Sequence, residues 1–562
     1  MRVLEIILTV SALLLMFSFV SGKGVLKVKI ALTAVSGTLC AAQLGLEGYR
    51  WQMAGVYVIV LLGLIIRIAG IISGRSRKLL STGQKTRKSA FRRLKRGWAI
   101  AGTAAGILIV ICSAVLSSMI PVVELPAPSG PFAVGMQTLH LTDSSRPESQ
   151  TPDPGDSREL MVYVWYPAPA EKGHQTAPLL PGDKQSNRKV MSAFAGSLGI
   201  PSFSLDYWAY IHTNAYRNAD WLRSEGPYPL ILINHGLGTS SLLHTTLAEN
   251  LAANGYIVAA VDHTYSTAAT LFPDGTVTEF SESLSSDHFI ATGKQLGNVW
   301  NDDNRFVLSQ LKQQFADYID TDLIGIAGHS FGGAAAYEAM FSIPELKAGI
   351  DLDGSLYTLT GPSLGKPFLF IESEDYNNRK KQISDPDIDA EEKIMNNARL
   401  SGGGKLYIKG TAHFNFTDLQ LYSSLLKYTG MTGGIDGGRS NEIVNQLVLD
   451  FFNSHLKGSH EDGEDAGTAA GTAAGTDAGT DAGTDAGTDA GTDAGTDAGT
   501  DAGTDAGTDA GTDAGTDAGY DAGTDAGTDA GTDAGTDAGT DAGTDAGTDA
   551  GTNAGYDEVV RP

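Results

Sequence analysis

Ser330 stands in Gly328-His329-Ser330-Phe331-Gly332-Gly333, between the apolar run Leu323–Ala327 and an Ala-rich stretch that continues through Met340. A serine hydroxyl is a weak nucleophile at neutral pH and acts only beside a base that takes its proton. The pattern G-x-S-x-G, read as a buried strand, a sharp turn and then a helix, supplies the first half of that arrangement. Its small residues let neighbouring backbone approach, the turn exposes the hydroxyl, and the helix N-terminus points at the reacting carbonyl. The base is sought downstream. Lys405–Lys409 reads as a strand leading into Gly410-Thr411-Ala412-His413, where an imidazole at a strand end can reach back over the sheet to the serine. His329 and His235 compete for that duty, but each sits in a backbone motif that accounts for it.

The acid that orients the base is less easily chosen. Lys347–Leu352 reads as a strand ending at Asp353, and Pro367–Glu372 as one ending near Glu374 and Asp375. Any of the three keeps the order serine, acid, histidine of the α/β hydrolases. The commonest arrangement, with the acid after the strand next but one from the nucleophile, favours Asp375 or Glu374. Gly354 after Asp353 provides the tight turn that a functional strand end needs. Asp351 shares parity with Asp353 on a regular strand, so both carboxylates would lie on one side.

The elements that would position these groups alternate between strand-like and helical runs, as in an α/β domain with a largely parallel sheet. Leu160–Tyr166 and Tyr228–Asn234 read as strands, the second running into His235-Gly236-Leu237-Gly238. A helical stretch, Leu242–Asn254, precedes the strand Tyr256–Val261.

Two regions flank this domain. Ile6–Val20, Ile30–Leu46, Met53–Ser73 and Trp98–Ile120 are apolar runs long enough to cross a bilayer as helices. Ten Lys and Arg with no acid lie between Arg75 and Arg96, which predicts a cytoplasmic loop there and places everything after Val122 outside the cytoplasm. The first run, preceded by Arg2 and followed by Val20-Ser21-Gly22, also fits a cleaved signal peptide; four retained spans agree better with Lys23, Lys27 and Lys29. Arg67, the one charge inside a span, is expected to snorkel toward the basic end of its helix.

The C-terminal tail repeats Gly-Thr-Asp-Ala from about Ala466 to Tyr556. It holds nearly all of the chain's acidity: a net −24 lies beyond His460, out of −25 for the whole. With little to bury it is expected to be disordered and dispensable for catalysis. The acidity therefore says nothing about the domain fold. The one dense basic run lies between two spans, which argues against nucleic-acid binding. Cys40 and Cys112, both in apolar runs, exclude a disulfide framework and a Cys-rich zinc site.

From about Gly130 to His455 the chain resembles the plasma-type (isoform II) platelet-activating factor acetylhydrolase family. The resemblance rests on Pro131-Phe132-Ala133-Val134-Gly135, His235-Gly236-Leu237-Gly238, Gly255-Tyr256-Ile257-Val258-Ala259-Ala260-Val261-Asp262-His263 and Gly328-His329-Ser330-Phe331-Gly332-Gly333. More informative are Gly349-Ile350-Asp351-Leu352-Asp353 and His413-Phe414-Asn415-Phe416-Thr417-Asp418. It implies Ser330 as nucleophile, Asp353 as the orienting acid, His413 as base, and the backbone N–H groups of Leu237 and Phe331 as the oxyanion hole. Asp262, where the family often has Glu, and Asp351 are departures that leave the triad untouched.

The combined expectation is an α/β-hydrolase domain at 131–460, preceded by a transmembrane helical region at 1–125 and followed by a disordered acidic repeat tail at 461–562. The expected activity is that of a membrane-anchored serine hydrolase cleaving carboxylic esters, short or oxidised acyl chains of phospholipids in particular, through an acyl-enzyme. No metal or organic cofactor is implied, and the expected partners are a lipid or small ester and the membrane, with no nucleic acid. The alternatives are a non-catalytic surface binding or adhesion module on a hydrolase fold, and a thioesterase or peptidase using the same triad, because fold and triad do not fix the acyl group.

Overall fold

The computed structural model describes residues 1–21, 26–79, 89–170, 175–223, 226–282, 289–360, 362–458 and 556–561, without the side chains of 74–79 and 89–96. The strands of its main sheet are β1 (Ala133–Pro147), β2 (Ser157–Ala168), β3 (Thr176–Pro178), β4 (His212–Arg217), β5 (Tyr228–Asn234) and β6 (Ile257–Asp262). After the small hairpin β7 (Ala269–Leu271) and β8 (Val277–Glu279) come β9 (Ile319–His329), β10 (Leu346–Leu352), β11 (Phe368–Ser373), β12 (Gly404–Ile408) and β13 (Val559–Val560). Their order across the sheet is β13-β12-β11-β10-β9-β5-β6-β2-β1-β4-β3. The run from β12 to β6 is parallel, β2 turns antiparallel against β6, and β13 is antiparallel to β12.

The central strands are apolar on both faces because both faces are covered. Side chains alternate across a strand, so Ile231 and Ile233 of β5 enter one core cluster while Leu230 and Leu232 enter the other. The first cluster contains Leu247 and Leu251 of α6 (Thr245–Ala253, preceded by a 3₁₀ turn at Ser241–His244) together with Val444, Val448 and Phe452 of α12 (Gly437–Phe452). The second holds Trp300, Val307 and Leu311 of α7 (Phe289–Gln314) and Ala335, Ala336 and Met340 of α8 (Phe331–Ser342). Strands buried on both faces and crossover helices outside are what a parallel sheet requires. Sequence reading locates β2, β5, β6 and β9–β12 but not the fifteen-residue β1, whose register runs from Ala133 opposite Ala168 to Asp143 opposite Arg158.

Ahead of the sheet, α1 (Val3–Val20), α2 (Leu26–Leu46), α3 (Ala54–Leu79) and α4 (Ser89–Met119) each contain a stretch long and apolar enough to cross a membrane. Leu8, Ala12 and Leu15 of α1 are buried against Met53, Val56, Val60 and Val110. A buried ion pair, Glu5 with Arg50 Nη1 at 3.0 Å, closes one end of this group, and Arg50 also donates to the Ile120 carbonyl. That end abuts the sheet domain: Tyr210 Oη donates to Tyr49 O (3.0 Å), and Ser424 N to Met119 O (3.2 Å). The Arg67 guanidinium reaches Ser18 Oγ (3.2 Å) and Thr33 Oγ1 (3.4 Å), hydroxyls of the neighbouring helices α1 and α2.

Residues 459–555, and with them nearly all of the repeat and the disorder expected of it, lie outside the described residues. The expectation of disorder is corrected at the C-terminal end. Tyr556–Arg561 is placed against β12, with Val559–Val560 as an edge strand, because here the sequence leaves the repeat and acquires Tyr556, Val559 and Val560, which have surface to bury.

Candidate active site

β9 ends at His329, and the chain reverses through Ser330 into α8 with Ser330 at φ 56°, ψ −126°. A non-glycine residue in that region is strained, and its surroundings must hold it there. The Ser330 N–H donates to Leu352 O (2.9 Å), and the Ser330 carbonyl accepts from Gly333 N (2.9 Å). Glycine is required on both sides: a Cβ on Gly328 would meet Gly332 O at 2.1 Å, and one on Gly332 would meet His235 O at 2.3 Å.

His413 follows β12 through a turn pinned by Gly410 N donating to Glu374 Oε2 (2.7 Å) and Ala412 N to Asn415 Oδ1 (2.9 Å). Its Nε2 lies 2.9 Å from Ser330 Oγ and its Nδ1 2.7 Å from Asp353 Oδ2. A carboxylate only accepts, so Nδ1 carries the proton and Nε2 presents its lone pair to the serine hydroxyl. Asp353 has left the strand, at φ 59°, with its N–H on Ile371 O (2.8 Å) and its Oδ1 accepting Ser373 N. Its side chain is 1% exposed against 24% for His413, so the carboxylate is sealed while the imidazole is partly exposed.

The other carboxylates do not reach the imidazole. Asp375 is exposed beside Arg379 (3.0 Å), and Glu374 holds the Gly410 amide. Asp351 parts from Asp353 because Asp353 breaks the strand's alternation: Asp351 Oδ1 accepts Gly354 N (2.8 Å), and its Oδ2 has no partner among the described residues. Burial, then the nearby carboxylates Glu391 and Asp353, push Asp351 well above the usual carboxylate range despite that one hydrogen bond, so it is held as the neutral acid.

The loop His235–Ser240 lies against Ser330, with a Cβ on Gly236 meeting Ser330 Cβ at 3.3 Å. Its shape comes from Gly238 at φ 69°, Gly238 N on Ser266 O (2.8 Å) and Thr239 Oγ1 on Gly236 O (2.7 Å). The N–H groups of Leu237 and Phe331 have no acceptor among the described residues. Phe331 opens α8, whose first amides have no partner within the helix.

His329 and His235 each hydrogen-bond backbone groups. His329 Nε2 donates to His413 O (3.0 Å), and burial, then the neighbouring His413, hold its pKa well below 6.5, so it stays neutral. His235 Nδ1 donates to Gly236 O (2.7 Å) while its Nε2 accepts His263 N (3.2 Å).

Sequence reasoning missed what lies beneath that loop. His263 stacks on Trp300 with ring centroids 4.0 Å apart and bonds Asp303 Oδ2 (2.9 Å) and Asn234 Oδ1 (3.1 Å). Asp303 in turn receives Arg158 Nη2 (2.7 Å), whose Nη1 reaches Glu148 (2.8 Å). Burial alone would raise the Asp303 carboxyl, but Arg158 and His263 outweigh it and hold it well below the usual range. A charged residue within an amphipathic helix reads as solvated, and the only available signal was that Asp303 falls on the face of α7 that carries Trp300 and Val307.

A serine hydroxyl, an imidazole and a carboxylate in series, at the carboxyl end of a parallel sheet, define a hydrolytic site. The fold agrees with a solved structure, the ferulic acid esterase from Streptomyces cinnamoneus: 29% identity over 62% of this chain and 97% of that one, TM-score 0.50. The family of platelet-activating factor acetylhydrolase, isoform II, matches residues 118–279 and 274–472. Curated relatives include the platelet-activating factor acetylhydrolase of Canis lupus familiaris, 26% identical over 59% of this chain and 77% of the relative. Another is a probable 1-alkyl-2-acetylglycerophosphocholine esterase of Arthroderma benhamiae, 25% identical over 63% of this chain and 94% of the relative. The chain belongs to the isoform II platelet-activating factor acetylhydrolase family and is an ester hydrolase of the serine class.

Proposed function

We propose that this protein is a membrane-anchored serine hydrolase that removes short or oxidised acyl chains from phospholipids through an acyl-enzyme. The observation that carries the reading is the pair of hydrogen bonds at His413, 2.9 Å to Ser330 Oγ and 2.7 Å to Asp353 Oδ2. Ser330 Oγ attacks the ester carbonyl as its proton passes to His413 Nε2, and Asp353 stabilises the imidazolium through Nδ1–H. The tetrahedral oxyanion is received by the N–H groups of Leu237 and Phe331, aided by the positive end of α8. Collapse expels the alcohol with the proton from His413. Water, deprotonated by the same imidazole, then releases the acid and restores Ser330. The short-acyl, phospholipid substrate class is taken from the names of the relatives in dog and Arthroderma benhamiae.

In this reading residues 1–125 are the membrane region, 131–460 the α/β-hydrolase domain and 461–562 the tail. The hydrolase and the tail lie outside the cytoplasm, given the ten bases between the third and fourth spans. Two observations support retention of the first span: one face of α1, with Leu8, Ala12 and Leu15, is buried against the other helices, and its Glu5 neutralises Arg50. Placing the site beside a bilayer raises the local concentration of lipid substrate.

The test is labelling of the full-length protein with a fluorophosphonate, followed by a panel of p-nitrophenyl esters of rising chain length, 2-acetyl and oxidised 2-acyl phospholipids, thioesters, peptides and a feruloyl ester. Labelling of Ser330 with turnover of the short-acyl phospholipids is the expected result. Absence of labelling would favour the binding-module alternative, and preference for thioesters, peptides or the feruloyl ester would reassign the substrate.

A further inference from the structure

β12 leads through a turn to His413, and on its outer side it would be the last strand of the parallel run. That edge is covered by the chain's own C-terminus, in register Tyr407 opposite Val560 and Ile408 opposite Val559. Lys409 N donates to Glu558 O (2.8 Å), and Lys409 Nζ reaches Asp557 O (3.3 Å). Recognition extends to the side chains. Arg439 near the start of α12 grips Glu558 with two nitrogens, Nε at 3.3 Å and Nη2 at 3.1 Å, while its guanidinium sits 4.6 Å from the Tyr556 ring centroid. Tyr556 and Val559 pack on the core cluster that contains Ile408, Val444 and Val448.

The sequence discriminates this segment from the repeat before it. Tyr520-Asp521 also replaces Thr with Tyr, but it is followed by Ala-Gly and lacks both the carboxylate for Arg439 and the β-branched pair for the edge. Gly555-Tyr556-Asp557-Glu558-Val559-Val560 has all three features. An exposed strand edge pairs readily with an extended peptide, main-chain bonds giving affinity and side-chain contacts giving specificity.

We propose that the outer edge of β12 is a peptide-recognition site whose ligand is the chain's own Tyr556–Val560, docked in cis, and that its occupancy steadies the strand from which His413 is hung. Joining the peptide to the domain makes docking intramolecular, so a short strand suffices where the free peptide would bind weakly. The docking half stands on the contacts above; the catalytic half rests on His413 as the base.

The experiment compares the full chain with one ending at Gly555. In the full chain the segment 404–412 is expected to be protected from amide hydrogen exchange, and in the shortened chain Lys409 should exchange about tenfold faster or more. The free peptide Tyr556–Pro562 at about 1 mM should restore protection, and the same peptide with Glu558→Arg should not. Should the shortened chain fail to fold, full-length Glu558→Arg takes its place, with Arg439→Glu added to restore the pair. Equal exchange at Lys409 with and without the terminus, or protection that rises with protein concentration as it would for a strand supplied by a second copy, overturns docking in cis. With p-nitrophenyl acetate, kcat should fall several-fold in the shortened chain with KM little changed, and recover with the peptide. Unchanged kcat despite lost protection overturns the coupling to His413. Absence of esterase activity in every form, with the exchange result intact, would instead strike the proposed function.

Discussion

Replacing Asp353 by Asn tests the proposed mechanism at its most specific point. In the wild type Asp353 accepts two hydrogen bonds, Oδ2 from His413 Nδ1 at 2.7 Å and Oδ1 from Ser373 N. Asparagine has one acceptor and one donor in the same space. If its oxygen keeps the buried Ser373 amide, its NH₂ faces Nδ1, and the imidazole must then hold its proton on Nε2. The nitrogen 2.9 Å from Ser330 Oγ becomes a donor, and the serine loses its base. If the amide flips, Ser373 N is left facing a donor in a site where the acid is 1% exposed. In a well-studied protease triad this substitution lowers kcat by about 10⁴, which corresponds to about 5.4 kcal/mol of barrier. The same order is expected here, with the fold retained because shape and volume are unchanged. Asp375→Asn, exposed beside Arg379, should alter activity by no more than about twofold. Asp351→Asn should also be mild: burial keeps that carboxyl neutral, so the amide replaces an acid of similar shape and charge. The assay is kcat/KM on one activated ester for the three variants, each with a thermal melt. A folded Asp353→Asn protein with near wild-type activity, together with collapse in Asp375→Asn, would refute the reasoning.

Ser330→Ala and His413→Ala should each cost about as much as the double substitution, since they act as one unit; additive losses in kcat would show that they do not. Asp262, whose Oδ1 accepts Ser241 N at 3.0 Å, has its carboxyl pushed up to about 7 by burial. The folded protein therefore holds that proton more tightly than an unfolded chain with its carboxyl near 4. The resulting stability is full below about pH 4, lost as pH rises toward 7 and flat above, with a slope of up to about 1.4 kcal/mol per pH unit. Melting temperatures from pH 5 to 8 should fall less steeply in Asp262→Asn than in the wild type, and identical slopes would count against it. Protease added to intact cells or protoplasts should remove the hydrolase domain and leave Arg75–Arg96 protected, while protection of the whole domain would reverse the proposed topology.

The residues proposed to do the chemistry, and the order in which they occur, are local features that the sequence itself displays. Ser330 is marked by a buried strand before it, small residues around it and a helix after it, all within about twenty positions, and His413 by its place just beyond a strand. The four apolar helices were equally legible, because a span is a matter of length and composition. Which acid faces His413 was not legible from strand counting. Asp351, Asp353, Glu374 and Asp375 all sit at strand ends, and the choice turned on Asp353 leaving β10 at φ 59°, a backbone angle that no periodicity records. The contacts that brace the site were hidden for a related reason: Arg158 meets Asp303 across 145 positions, and Arg439 meets Glu558 across 119. Charges so far apart in the chain read individually as solvated surface. Only the stacking of strands and helices brings each to the partner the other requires, and it takes Arg158 and Asp303 out of water.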